Sequence, residues 1–130
     1  MSAEEDRPEL SVSQAADGVC VISVSCELDM TTTPALGQLL TQELAGQPRS
    51  LVVDLSRCEF MSSSGLAVLV AAREQAAQSG THLALAGLTR TVQRAFTAVG
   101  LNPLFDIHAG SDEAVAGLRA AGGTDSGGPS

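Results

Sequence analysis

Two spacings of apolar residues alternate along this chain. From Gly18 to Leu28 the sequence reads GVCVISVSCEL. Val19, Val21, Ser23 and Ser25 fall on one side, and Cys20, Ile22, Val24 and Cys26 on the other, as in a strand with one face more apolar than its opposite. A weaker strand around Leu10 to Ser13 can pair with it through an Asp17-Gly18 turn. Thr33-Pro34 then has the chemistry of a helix start, with Thr as N-cap and Pro at the first position. Leu36, Leu39, Leu40 and Leu44 follow as one helical stripe, and Gly46 and Pro48 stop it. Ser50 to Leu55, SLVVDL, has the unbroken apolar character of a strand buried on both faces. Ser62 to Ser64 offer hydroxyls to cap a second helix with Leu66, Leu69, Val70 and Ala77 inward, ended by Gly80. His82 to Ala86 is a third strong strand. Thr89 to Val99 is a helix with Val92, Ala95, Phe96 and Val99 inward, and Leu104 to Ile107 is a short strand. Ser111, with Asp112 and Glu113 in the first turn, caps a last helix whose stripe includes Val115 and Leu118.

The predicted order is β-β-α-β-α-β-α-β-α. Strands alternating with helices predict an α/β domain on a mixed, mostly parallel sheet of four to five strands with four helices and right-handed crossovers; the leading hairpin adds an antiparallel edge. Residues 1–8 are charged and poor in apolar groups, and residues 122–130 read GGTDSGGPS, so both ends are expected to be flexible tails around one domain at 9–121.

Composition narrows the chemistry. Fifteen acidic residues against seven basic ones leave a net charge of −8, and every basic residue is Arg. Without Lys there is no P-loop and no Schiff-base or pyridoxal site. The acidic balance, with three Phe and no Trp or Tyr, argues against binding nucleic acid. The longest apolar run, Leu66 to Ala72, is far below the ~18 residues of a membrane span, and the acidic N-terminus is unlike a signal peptide. A cytoplasmic, monomeric protein with no membrane insertion is expected. Cys20 and Cys26, six apart on one expected strand, would lie ~20 Å apart and could not pair. Cys58 is expected as a buried thiol.

The segment Asp54 to Leu66, DLSRCEFMSSSGL, runs from a buried strand through a loop into serines at a helix start. Chemistry in such sheets gathers at the carboxyl ends of strands, and a helix N-terminus tolerates negative charge. A phosphate on a serine there would add about −1.5 to −2 charges to the surface without opposing the fold. The plainer reading is a serine that only caps the helix. A nucleophile elbow is excluded because Met61 and Ser62 stand where glycine is needed. No catalytic residue, metal site or cofactor is expected. Asp54 has the position of a phospho-acceptor at a strand end but lacks an acidic pair and a Lys, which favours an Asx-turn. Cys26 to Thr33, CELDMTTT, is a second polar loop and reads either as helix-capping groups or as a recognition edge, including Asp29 and Thr31, beside the serines.

These residues resemble the STAS domain, in particular the free-standing bacterial anti-sigma factor antagonists. Leu51-Val-Val-Asp-Leu-Ser with Phe60-Met-Ser-Ser-Ser-Gly-Leu matches that family's D-L-S and D-S-S-G-L blocks. Glu27-Leu-Asp29 matches its G-E-L-D, and Val92-Gln-Arg-Ala-Phe96 with Gly100-Leu101 its V-x-R-x-F and G-L. The resemblance spans Leu10 to Ala121. It implies a non-enzymatic switch. The unphosphorylated antagonist binds an anti-sigma factor that is also a GHKL-type serine kinase and so frees a sigma factor; phosphorylation releases it, and a PP2C-type phosphatase resets it. The phospho-acceptor by alignment is Ser63, with Ser64 second and Ser62 third. Asp29, Thr31, Ser62, Ser63, Ser64, Gly65 and Leu66 are the implied partner contacts. Two positions depart from the pattern: Ser62 replaces an Asp and Cys26 a Gly. The alternative within the family is a non-phosphorylated scaffold or accessory subunit of a transporter or signalling assembly.

Overall fold

The structure, a computed structural model, describes residues 9–15 and 18–118. The expected tails at 1–8 and 122–130, and Asp17 of the expected hairpin turn, lie outside the described residues. Strand β1 (Leu10–Gln14) pairs antiparallel with β2 (Val19–Val24), and helix α1 (Thr33–Ala45) leads to β3 (Ser50–Asp54). Helix α2 (Ser63–Ser79) leads to β4 (His82–Ala86), and α3 (Arg90–Ala98) with a 3-10 turn at Asn102–Leu104 leads to β5 (Asp106–His108). A last helix, α4, occupies 111–118. The five strands lie in the order β1-β2-β3-β4-β5, and every pairing after the first is parallel.

Because each crossover steps to the next strand in the same direction, right-handed connections put successive helices on one face. That face is the main core. Cys20, Ile22 and Val24 of β2, Leu51 and Val53 of β3, and Leu83 and Leu85 of β4 meet Leu36, Leu40 and Leu44 of α1, Leu69, Ala72 and Ala76 of α2, and Val92 and Phe96 of α3. Phe96 and Phe105 close its far side edge to face, with centroids 5.6 Å apart. The alternate residues of the same strands, Val19, Val21, Val52, Ala84 and Ala86, face Ala114 and Leu118 of α4.

Several boundaries differ from the sequence expectation. β2 stops at Val24 rather than running to Leu28, because its β1 partner ends at the Leu10–Val24 pair and its β3 partner at Ser23–Asp54. Cys26 therefore lies in a loop, and all three cysteines are free thiols. The buried stripe of α2 is Gly65, Leu69, Ala72 and Ala76; Leu66 and Val70 are half-buried and Ala77 is exposed. The smallest side chains face inward, which lets α2 approach its neighbours closely. Leu39 is only half-buried on α1. On α3 only Val92 and Phe96 are buried, while Val99, past the last helical turn, is 58% exposed. On α4 Leu118 is buried as expected, but Ala114 rather than Val115 completes the stripe.

Candidate functional site

Two loops leave the carboxyl ends of neighbouring strands, one after β2 and one after β3, and they join outside the sheet. The Leu28 amide donates to the Phe60 carbonyl at 2.9 Å, and the Ser62 amide donates to the Leu28 carbonyl at 2.8 Å, which makes an isolated parallel bridge between Leu28 and Met61. Both loops are anchored from below, since Leu28, Leu55, Cys58 and Met61 all bury their side chains in the main core. The bridge sits directly under the start of α2. Gly65 is buried there, and a Cβ on it would stand 2.6 Å from the Met61 Cγ and 3.1 Å from the Leu28 Cβ. Only a residue without a side chain lets α2 begin this close to the loop.

The first loop is locked by one carboxylate. Asp29 Oδ1 accepts from the Thr31 amide at 2.9 Å, the Thr31 hydroxyl at 2.6 Å and the Thr32 amide at 3.2 Å. The Thr31 hydroxyl, followed by the two amides, holds the Asp29 carboxyl below the usual carboxylate range. Thr32 Oγ1 accepts from the Asp29 amide at 3.0 Å and donates to the Glu27 carbonyl at 2.6 Å. The N-cap of α1 is thus Thr32, not Thr33, and its side chain makes no cap hydrogen bond because the turn uses it. Thr33 is buried in the first turn beside Pro34.

The second loop presents the serines. Ser62 occupies the N-cap position of α2 with extended backbone, yet it makes no side-chain cap bond either. Its Oγ lies 2.7 Å from Ser64 Oγ instead. A serine thus stands at the cap position as the plainer reading expects, but its hydroxyl does not bond the first-turn amides. Ser63 is the first residue of α2 and is exposed, whereas Ser62 and Ser64 are half-buried. Of the other expected contact residues, Thr31 is exposed, Asp29 and Leu66 are half-buried, and Gly65 lies beneath the surface.

A third element braces this end. Thr89, the N-cap of α3, accepts from the Val92 amide at 3.4 Å and donates to the Cys58 carbonyl at 3.0 Å. Asp54 Oδ1 accepts from the Ser56 amide at 2.9 Å, the expected Asx-turn. Gly87, at φ +70°, passes so close that a Cβ would meet the Ser56 Cβ at 2.9 Å. Burial pushes the Cys58 thiol up, as it does Cys26. Cys20, also raised by burial and then by Glu43, reaches about 11. Raised thiols are poor nucleophiles at neutral pH. Among the described residues no group of three His, Cys, Asp or Glu side chains is arranged to hold a metal ion, and no helix is long and apolar enough to cross a membrane.

The two loops are legible in the sequence, but not everything that makes them one site is. Gly65 as the point of close approach was not visible, although a glycine in the first turn of a helix, where it costs stability, is the available signal. Met30 and Phe60, 81% and 44% exposed, carry no sequence signal of exposure either, since both residue types are ordinarily assigned to a core.

Comparisons with known proteins agree with this architecture. The family described as "Mlab, STAS domain" matches residues 11–106. The anti-sigma-F factor antagonist RsfB of Mycobacterium tuberculosis is 32% identical over 103 residues, 79% of this chain and 84% of that protein. The crystal structure of an anti-sigma factor antagonist from Mycobacterium paratuberculosis superposes with a TM-score of 0.74 at 35% identity, covering 85% of this chain and 92% of the other. An anti-sigma-factor antagonist (STAS) domain protein from Planctomyces limnophilus shares the fold, with a TM-score of 0.77 at 21% identity over 85% of this chain and 97% of the other.

Proposed function

The chain belongs to the STAS domain family, and on that premise we propose that it is an anti-sigma factor antagonist switched by phosphorylation of Ser63. In its unphosphorylated form it binds an anti-sigma factor that is also a GHKL-type serine kinase, and a sigma factor is released. Phosphate on Ser63 breaks that complex, and a PP2C-type phosphatase restores it.

The observation that carries this reading is the placement of Ser63. It is exposed at the first position of α2, on a rim whose two loops are tied by the Leu28–Met61 bridge. A phosphate there meets the positive end of the helix dipole and the amides of the first turn, so the fold accepts it. The two added charges act on the partner and not on the core. With Ser62 in place of the family's Asp, negative charge on this rim comes from Glu27, Asp29 and Glu59. The test is to incubate the protein with ATP and the serine-kinase anti-sigma factors of its own genome and to map phosphate by mass spectrometry. Modification at Ser63, retained kinase binding by Ser63→Ala and weakened binding by Ser63→Asp are expected. Absence of phosphate across Ser62–Ser64 with every such kinase overturns the switch.

A second reading is a constitutive scaffold or accessory subunit of a transporter. Two observations favour it: the matched family carries the Mlab description, and Ser62 departs from the phosphorylated pattern. Co-purification with a permease instead of a soluble kinase is its expected outcome.

A further inference from the structure

Among the described residues, five large apolar side chains are left exposed: Val12, Met30, Phe60, Val99 and Leu104. Isolated exposed residues of this kind are ordinary. Met30 and Phe60 differ from the rest in their surroundings. Phe60 directly precedes Met61 and supplies the carbonyl that Leu28 bonds, and Met30 follows Leu28 by two residues. One bridge therefore holds both beside the Ser62–Ser64 segment. Neither is exposed through slackness. Met30 lies inside the turn that Asp29 closes with Thr31 and Thr32, so the backbone is fixed with this side chain turned out, 81% exposed. Phe60 stands between two buried anchors, Cys58 and Met61, and its carbonyl is taken by Leu28 and the Cys58 thiol.

We infer that Met30 and Phe60 are the apolar anchors by which this chain holds its anti-sigma factor, which must present apolar surface beside the slot that receives Ser63. This rests on the function proposed above and adds to it the source of affinity and the reason the switch works. Aromatic residues and Met are enriched at interface centres, and anchors held rigid beforehand lose little entropy on binding. Met fits irregular apolar surfaces well. A partner closing over Met30 and Phe60 removes water from the rim that contains Ser63. A phosphate arriving there must give up its remaining hydration for the complex to persist, and an apolar partner surface offers its outer oxygens nothing in return. The charge acts strongly because binding at the two anchors brings apolar partner surface over it.

The experiment uses the full chain and the purified kinase of its genome that binds it and phosphorylates Ser63. Met30→Ser and Phe60→Ser are each expected to raise Kd at least about tenfold. They should also raise KM for phosphorylation while kcat stays within about twofold, the pattern of lost ground-state binding. Val99→Ser is the control, because Val99 is 58% exposed at the end of α3 away from the serine rim; its Kd should not change. Circular dichroism and thermal melting establish that each variant is folded. If Ser63→Asp weakens the complex while both serine variants bind like wild type, the anchors are refuted and the switch stands. If no kinase binds the wild-type chain, both ideas fall. If the free wild-type chain sediments as a dimer that Met30→Ser dissociates, the patch joins two copies of this chain, and the inference is overturned.

Discussion

Gly65 lies so close to Leu28 that a methyl group on it would approach the Leu28 Cβ to 3.1 Å, and the Met61 Cγ to 2.6 Å. The helix that presents Ser63 and the loop that carries Asp29 are in contact through this absent side chain. Met61 has a flexible end that can move, but the Leu28 Cβ sits on backbone held by two hydrogen bonds.

Gly65→Ala tests that contact. In a free helix Ala is better than Gly by about 1 kcal/mol. Here overpacking of roughly 1–3 kcal/mol acts in the opposite direction, and relief of the clash requires parting the two loops. A fall in Tm of several degrees is expected, together with weaker binding to the anti-sigma factor. A Tm at or above wild type in a thermal melt would show that the contact is slack.

Ser62→Asp has the opposite sign. Ser62 is an N-cap whose hydroxyl is turned to Ser64. An Asp at that position accepts from the first-turn amides and meets the positive helix end, a gain of about 0.5–1 kcal/mol. The expected result is a Tm a few degrees higher, with the gain shrinking in 1 M salt as screening tightens to ~3 Å.

Asp106 gives a pH-dependent prediction. Its Oδ2 lies 2.9 Å from His82 Nε2 and 3.1 Å from His108 Nε2, although only the His82 contact has hydrogen-bond geometry. Burial works to raise this carboxyl, but the His82 hydrogen bond and the nearness of both imidazoles outweigh it and hold it below the usual carboxylate range. A carboxyl whose pKa is depressed by folding contributes stability above its unfolded value, near pH 4, and loses it as pH falls through the folded value. Asp106→Asn should therefore lower stability at pH 7 and flatten its loss as pH falls below about 4. Urea titrations of both proteins across that range check the sign.

Thr89→Val removes one hydroxyl with two bonds. Loss of the α3 cap alone is expected to cost about 1–2 kcal/mol, and the Cys58 carbonyl loses its donor as well. Hydrogen exchange at the Val92 amide and at the Cys58–Phe60 amides should accelerate together. Acceleration confined to α3 would mean that the two elements move independently.

Much of this fold is legible because its strands and helices announce themselves by different periods. Alternation in Val19 to Val24 and the Leu36–Leu40–Leu44 stripe are each consistent with one structure only. Boundaries are legible only where a local signal ends an element. β2 stops at Val24 because its neighbours run out, a fact written in β1 and β3 and not in β2. The Thr31-Thr32-Thr33 run announces a helix start, but which threonine caps depends on Asp29 claiming the nearby amides first. The serine segment was found through its chemistry. The close approach at Gly65 and the exposure of Met30 and Phe60 are not legible, because their meaning lies in which neighbours approach them and which do not. The stripe of α2 differs from its expectation for the same reason: residue size points inward to Leu66 and Val70, whereas the buried positions beside Leu69 are Gly65, Ala72 and Ala76.

The shared hydroxyl of Thr89 has a consequence for how the serine rim answers force. The loop from Cys58 to Phe60 cannot give way by itself, because displacing it pulls on the oxygen that closes the first turn of α3. Compliance at the rim is thereby set by a helix more than 25 residues further along the chain. A partner that needs the loop to bend must fray that helix end, whereas a partner shaped to the loop as it stands meets no such resistance. Discrimination between related partners then follows from stiffness, without any residue that touches one and not the other.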